Sequence, residues 1–312
     1  MTSSPTASVG PFRLAHLSDP HLAFEPRLTL RQRFSKRQLS ALSWWRSRHR
    51  SQQADLLDRL IADARPFQPE HWAITGDIVN FSLPGEFTQA ARWLDALDAR
   101  DRVSIVPGNH DALVAMPVDQ GWHHWQPWVA GDDGHPAWPY WRQRGDVALI
   151  GVSSALPTAP LLASGRIGTA QLQRLAALLD ELGRRGLCRV LMIHHPPAAG
   201  AISRRKALAD AAELRALLAR HGAELVIHGH ARDARLDAIS GPAGPIPVLG
   251  LPSASALPSS RDGGSRWQLL ELEPAAAGGW RLRQRVRLWD IGRQGFVSAG
   301  DFVFALPRQI GG

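Results

Sequence analysis

Cysteine is all but absent from this 312-residue sequence, where Cys188 stands alone. A single thiol excludes an intramolecular disulfide and any cysteine cage for zinc or an iron–sulfur cluster, and a reducing cytoplasm is the expected setting. No apolar run reaches the length that crosses a bilayer, so a soluble protein is expected. The opening MTSSPTASVGP lacks an apolar core behind a charged start; no secretory signal is expected, and residues 1–11 read as a loose tail. Internal repeats and coiled-coil or DNA-capturing extensions are missing too.

With 44% hydrophobic residues the chain can bury the core of one large α/β domain, placed at residues 12–306 with a short tail at 307–312. Its formal charge of +8, carried mainly by arginine, favours anionic partners: phosphorylated metabolites, nucleic acid or acidic lipid head groups. That charge is densest in PRLTLRQRFSKRQLSALSWWRSRHR, residues 26–50.

Short apolar runs at 12–18, 72–76, 103–108, 147–154, 189–195 and 223–229 each end in small, polar or turn-forming residues, as buried strands do. Between them lie helical patterns at 51–66, 83–100, 168–186 and 204–222; in the third, Leu172, Leu175, Leu178, Leu179 and Leu182 form one apolar stripe. The alternation predicts a layered α/β sandwich. SRWQLLELEP and GWRLRQRVRLWDI, joined by AAAGG, predict a closing antiparallel hairpin. The Trp-rich, proline-broken segment 116–141 fits neither period and reads as a long loop packed by its own aromatics over the site.

In open α/β sheets functional groups collect at the carboxyl ends of the strands, where loops converge on a rigid support. Here those ends read Asp19-Pro-His21, Gly76-Asp77, Gly108-Asn109-His110-Asp111, His194-His195-Pro-Pro and His228-Gly229-His230. A D-x-H or a G-D alone is weak, and a turn or cap residue explains most such fragments. GNHD is more specific, and the ordered set, each member at the end of its own apolar run, is strong.

This ordered set resembles the calcineurin-like metallophosphoesterase superfamily, whose pattern is D-x-H, G-D, G-N-H-D/E, H and G-H-x-H; the likeness runs from Phe12 to about His230. The resemblance implies a sandwich of two mixed β-sheets flanked by helices, holding two divalent metal ions. Carried over residue by residue, Asp19 and His21 bind the first metal, Asp77 bridges both, and Asn109, His194 and His230 bind the second. His110 is then a catalytic imidazole oriented by Asp111. Imidazole and oxygen donors suit manganese, iron or zinc, and a bridging carboxylate offsets the repulsion of two nearby cations. Such a pair yields hydroxide from a shared water near neutral pH and draws charge from the phosphoryl oxygens, while a protonated His110 serves the leaving oxygen. Of the adjacent His194 and His195, the family pattern selects His194, leaving His195 a supporting role.

One position departs from the pattern: the last histidine of G-H-x-H falls on Arg232. A guanidinium has no lone pair for a metal. Three consequences stay open: a weaker first site, entry of Asp233, or completion of an H-x-H pair by His228. Arg232 itself suits a clamp on substrate phosphate. His16 reads as a hydrogen-bonded core residue, and Asn80 as a residue shaping the mouth of the site.

The reading is a metal-dependent phosphoesterase cleaving a phosphodiester or pyrophosphate bond in a phosphorylated small molecule or lipid. Nucleotide-like and phospholipid-like substrates both suit a basic, aromatic-rimmed entrance. The block at 26–50 reads as a cap bordering the site with its arginines in water, or as a helix lying peripherally on anionic membrane. The competing class is a weakly metal-binding scaffold that docks anionic lipid or nucleic acid through that block. A nuclease, the third class, lacks a DNA-capturing extension, so nucleic acid is not the expected partner.

Overall fold

A computed structural model describes residues 10–48, 52–259 and 262–309. Residues 1–9 and 310–312 of the two expected tails, and 49–51 at the end of the basic block, lie outside the described residues. The strands are β1 (Phe12–Leu17), β2 (His71–Ile74), β3 (Val103–Ile105), β4 (Tyr140–Arg144), β5 (Val147–Gly151) and β6 (Cys188–Met192), then β7 (Leu225–His228), β8 (Arg235–Gly241), β9 (Gly244–Gly250), β10 (Arg266–Pro274), β11 (Trp280–Asp290) and β12 (Gly295–Leu306). They form two mixed sheets, ordered β12-β11-β10-β1-β2-β3 and β4-β5-β6-β7-β9-β8. β1, β2 and β3 run parallel in the first sheet, as do β5, β6 and β7 in the second.

The continuous apolar runs become these central parallel strands because both of their faces are covered. Along β6, Val190 and Met192 point into the core between the sheets with Leu14, Ile74 and Ile105, whereas Leu191 points outward under two helices. Those helices, Thr169–Arg184 and Ala211–His221, lay Leu175, Leu179 and Leu182, and Leu214 and Leu218, on that outer face. Among the described residues no helix is long and apolar enough to cross a membrane.

Four expectations are corrected. The closing hairpin gains a third antiparallel strand, β12, and Tyr140 and Trp141 of the expected aromatic loop belong to β4. The helix expected from residue 204 starts at Ala211, because Asp210 turns its carboxylate back to accept the amides of Ile167 and Gly168, and residues 204–210 run as a loop. Gln309, assigned to a tail, is buried: its amide donates to Glu224 and its side-chain oxygen accepts the amide of Ala243.

The basic block folds as a cap. Helices Leu30–Arg33 and Lys36–Ser43 bury Ala41 and, just beyond, Trp44 against Phe81 and Leu83, and Arg37 donates to the carbonyls of Phe81 and Ser82. Leu30, Phe34, Leu42 and Trp45 stay exposed. In 116–141, Trp125 and Trp128 sink into the main core, with Trp125 tilted on Phe87, so the tryptophans serve packing.

Candidate metal centre

Where the parallel strands of the two sheets end, their side chains meet. His21 Nε2 lies 4.0 Å from Asp19 Oδ1 and 3.9 Å from Asp77 Oδ2, and His194 Nε2 lies 3.5 Å from the same Asp77 oxygen. Asn109 Oδ1 is 3.3 Å from His194 Nε2, and the His230 ring sits 4.9 Å from that of His194. Among the described residues, donors of Asp19, Asp77 and His194, of His21, Asp77 and His110, and of His194, His195 and His230 gather within 4.8 Å of one another. All are buried.

The backbone is bent to make this meeting. Asp19, His21, Asp77 and His230 all have positive φ, a region that costs a non-glycine residue and marks functional sites. Gly76 and Gly229 permit the close approach: a side chain at Gly76 would strike His194 and the Gly108 backbone, and one at Gly229 would strike Ser18 and Asp19. Two hydrogen bonds stitch the sheets together here, from His230 N to Asp19 Oδ2 and from the His194 ring to the Thr75 carbonyl.

Backbone carbonyls also sort the imidazoles. A carbonyl only accepts, so the ring nitrogen facing it carries the proton and the other nitrogen keeps its lone pair. His194 presents Nδ1 to the Thr75 carbonyl at 2.6 Å and His230 presents Nε2 to the Lys206 carbonyl at 3.0 Å; this is how metal-binding imidazoles are oriented. His110 likewise presents Nδ1 to the Asn80 carbonyl at 2.8 Å. His195, by contrast, has Nδ1 on Ser154 Oγ and Nε2 on the Ala163 carbonyl, which leaves it a supporting ring.

The electrostatics fit divalent cations. Burial works to lower the affinity of His194 for a proton, yet Asp77 and Asp19 outweigh it and lift its pKa to about 9. Asp19 is itself raised to about 6, chiefly by burial, with His194 opposing and Asp77 adding to the rise. Two buried carboxylates thus draw positive charge to one point, and the field that holds a proton there would hold a metal ion. Burial, with His195 and His194 adding to it, keeps His230 well below the usual imidazole range, neutral and able to donate a lone pair.

Asp111 does not orient His110. Its carboxylate accepts four backbone amides, those of Asp77, Ile78, Val79 and Gly108, and so shapes the loop that presents Asp77. The Asn80 carbonyl holds His110 instead, and the loop carrying it is fixed by Glu86, which accepts the amides of Asn80, Phe81 and Leu83. Sequence reasoning missed Glu86; the signal for it is Leu83-Pro-Gly-Glu86, with proline and then a carboxylate in the first turn of helix Pro84–Leu97.

Arg232 also has positive φ, and its carbonyl accepts the amide of Gly263 at 2.8 Å. The neighbouring Asp262 has its pKa raised to about 7 by burial, with the Arg232 charge pulling it down and Asp19 and Asp233 pushing it up. Through that backbone bond Arg232 is fastened beside the Asp262 loop. Neither Asp233 nor His228 belongs to a donor group among the described residues. His228 turns Nδ1 to the Gly229 carbonyl and packs its ring on Gly250.

In sequence, residues 12–231 match the calcineurin-like phosphoesterase family. In structure, the chain resembles a dimetal phosphatase from Danio rerio, with a TM-score of 0.60 and 14% identity over 95% of this chain and 99% of that one. It also resembles a purple acid phosphatase from yellow lupin (Lupinus luteus) seeds, with a TM-score of 0.57 and 12% identity over 96% of this chain and 54% of that one. At these identities the structural likeness speaks for the fold alone. No curated protein matches the chain in sequence.

Proposed function

The chain belongs to the calcineurin-like phosphoesterase family of metal-dependent hydrolases acting on phosphoric esters, and from that premise we propose that it cleaves a phosphodiester or pyrophosphate bond at the junction of the two sheets. The observation that carries this reading is the convergence of Asp19, His21, Asp77, Asn109, His194 and His230, with the tautomers of His194 and His230 fixed by carbonyls behind them. Asp19 and His21 would hold one divalent ion, Asn109, His194 and His230 a second, and Asp77, set between His21 and His194, would touch both. Manganese, iron and zinc all suit this donor set. Two such ions supply Lewis acidity to the phosphoryl oxygens and lower the pKa of water.

The chain's own groups do the rest. Asp77 Oδ1 accepts the His110 amide at 2.7 Å, which ties the bridging carboxylate to the residue beside the leaving group. The His110 ring, edge-on to His21 at 5.0 Å and anchored through Nδ1, would serve the departing oxygen from Nε2 in its doubly protonated form, since the neutral tautomer held by Asn80 keeps only a lone pair there. Burial excludes bulk water from every one of these groups, which strengthens their charges.

The test is hydrolysis of bis(p-nitrophenyl) phosphate by the full chain, with metal content measured by elemental analysis. Turnover stimulated by a divalent ion and lowered by roughly 100- to 1,000-fold or more in Asp77→Asn is expected. Inactivity with every divalent metal, in protein that carries them, would remove the reading.

A further inference from the structure

A cavity of about 490 Å³ opens directly on Asn109 and His110. A smaller cavity of about 140 Å³ opens on His21, so of the two the larger offers more room for the ester group of a phosphoryl held at the metal centre, and its lining is informative about that group. Its apolar lining is made by Leu39 of the cap, Leu113, and Leu161 and Leu162. The same lining carries Lys36 of the cap and, on the loop that replaces the expected start of helix Ala211–His221, Arg205 and Lys206.

What the lining lacks is equally informative. Among the described residues His110 is its one ring, so they offer no indole, phenol or phenyl face as a stacking platform for a nucleobase and no carboxylate to receive base or sugar hydrogen-bond donors. Trp125 and Trp128 pack into the main core and Trp44 packs on Phe81, while the exposed Trp45 is not part of this lining. The space is also preformed: Lys36 Nζ donates to Thr158 Oγ1 at 2.6 Å and to the Leu162 carbonyl at 2.7 Å, clamping the cap to the segment that bears Leu161 and Leu162. Leu39 and Leu161 are 43% and 76% exposed at its mouth, apolar area that a chain lying in the groove would cover.

We infer that the substrate is an anionic phosphoester with an aliphatic chain, the chain lying along Leu39, Leu113, Leu161 and Leu162 and its negative charge facing Lys36, Arg205 and Lys206. This rests on the phosphoesterase reading and names the substrate class for the same site.

The experiment compares kcat/KM for methyl, butyl and octyl p-nitrophenyl phosphates and for the p-nitrophenyl ester of thymidine 5′-phosphate, with manganese. Calorimetry of octyl phosphate against methyl phosphate gives a readout independent of turnover. The rate should rise by about fourfold per buried methylene; with about half of the octyl chain's extra methylenes buried, octyl exceeds methyl by on the order of 100-fold and also exceeds the thymidine ester. Octyl phosphate should bind more tightly than methyl phosphate. In Leu39→Ser/Leu161→Ser, two exposed positions that folding does not depend on, the octyl-to-methyl ratio should fall by roughly tenfold. A flat series with ready turnover of the methyl ester, or preference for the thymidine ester, overturns the inference and leaves the phosphoesterase reading standing. Tighter binding of octyl phosphate without cleavage of any ester supports the cavity's preference and removes the hydrolytic reading. Failure of both binding and cleavage removes both.

Discussion

The two halves of the proposed metal centre would share Asp77 and differ in what stands behind them. On the His194 side each imidazole has a backbone carbonyl at its far nitrogen, and the ligands arrive from three strand ends, after β3, β6 and β7. On the Asp19 side the residues come from the single loop after β1, and where the family pattern has an imidazole the chain has Arg232. The carboxylates register the difference. Asp77 stays well below the usual carboxylate range, since His194, His110 and His21 together overcome its burial, whereas burial keeps Asp19 raised to about 6 despite its bonds from Ser18 and the His230 amide. A half-site built from converging strands is positioned by the sheets; one built from a single loop depends on its last ligand.

The sharpest way to break this comparison is to remove one imidazole from each half. His194→Ala is expected to lower kcat/KM by roughly 1,000-fold, because it removes a proposed ligand together with a cross-sheet hydrogen bond to Thr75. His21→Ala is expected to cost roughly 10- to 100-fold, much of it recovered at higher manganese as mass action refills the weaker site. Titration of activity against metal, with bound metal measured in parallel, distinguishes the two. Equal and unrecoverable losses would mean that the halves are held alike.

Arg232→His addresses the difference itself. The substitution returns an imidazole to a position whose backbone is already left-handed and fastened to Gly263, and removes a cation whose charge acts on Asp262. The weaker metal is expected to bind about tenfold more tightly, with turnover maintained or improved at low metal. A large rise in KM with unchanged metal affinity would instead make Arg232 a clamp on substrate phosphate, for which its planar fork is suited.

Much of the fold, and the gathering of the proposed ligands, was legible in the sequence because those residues sit at the ends of apolar runs, and a buried parallel strand announces itself by composition. The supports did not announce themselves. Asp111 reads as a neighbour of His110 and is spent on four amides contributed mainly by another loop; only folding brings those amides to it. Pro245 and Pro247 argue against a strand, yet β9 lies between β7 and β8. Arg205 and Lys206 carry a helical pattern yet lie in a loop, and Asp210, just before the helix, holds its carboxylate on the amides of Ile167 and Gly168 rather than on the helix. Pattern reports burial; hydrogen bonds between distant segments leave no pattern.

The smallest effect tests whether the Asp19 half is weak because of Arg232 or because its floor is soft. That floor is β1, where His16 is buried with Nε2 on Thr75 Oγ1 and Nδ1 on Gln268, and Gln268 in turn accepts from Gln284. Burial, with some help from His228, lowers the His16 pKa from 6.5 to about 3. The folded value lies below the unfolded one, so between them the unfolded chain binds a proton that the folded chain excludes. The contribution of His16 is therefore present above pH 6.5 and lost as pH falls towards 3. At pH 5 it accounts for about 2 kcal/mol of the acid loss. His16→Gln keeps hydrogen-bonding capacity without a titrating ring, so urea unfolding at pH 7 and pH 5 in chelator should show that loss reduced by about this amount. If the variant also binds manganese as the parent does at pH 7, the floor is firm and the asymmetry belongs to Arg232; if metal affinity falls with it, the comparison has to be drawn between strands rather than between ligands.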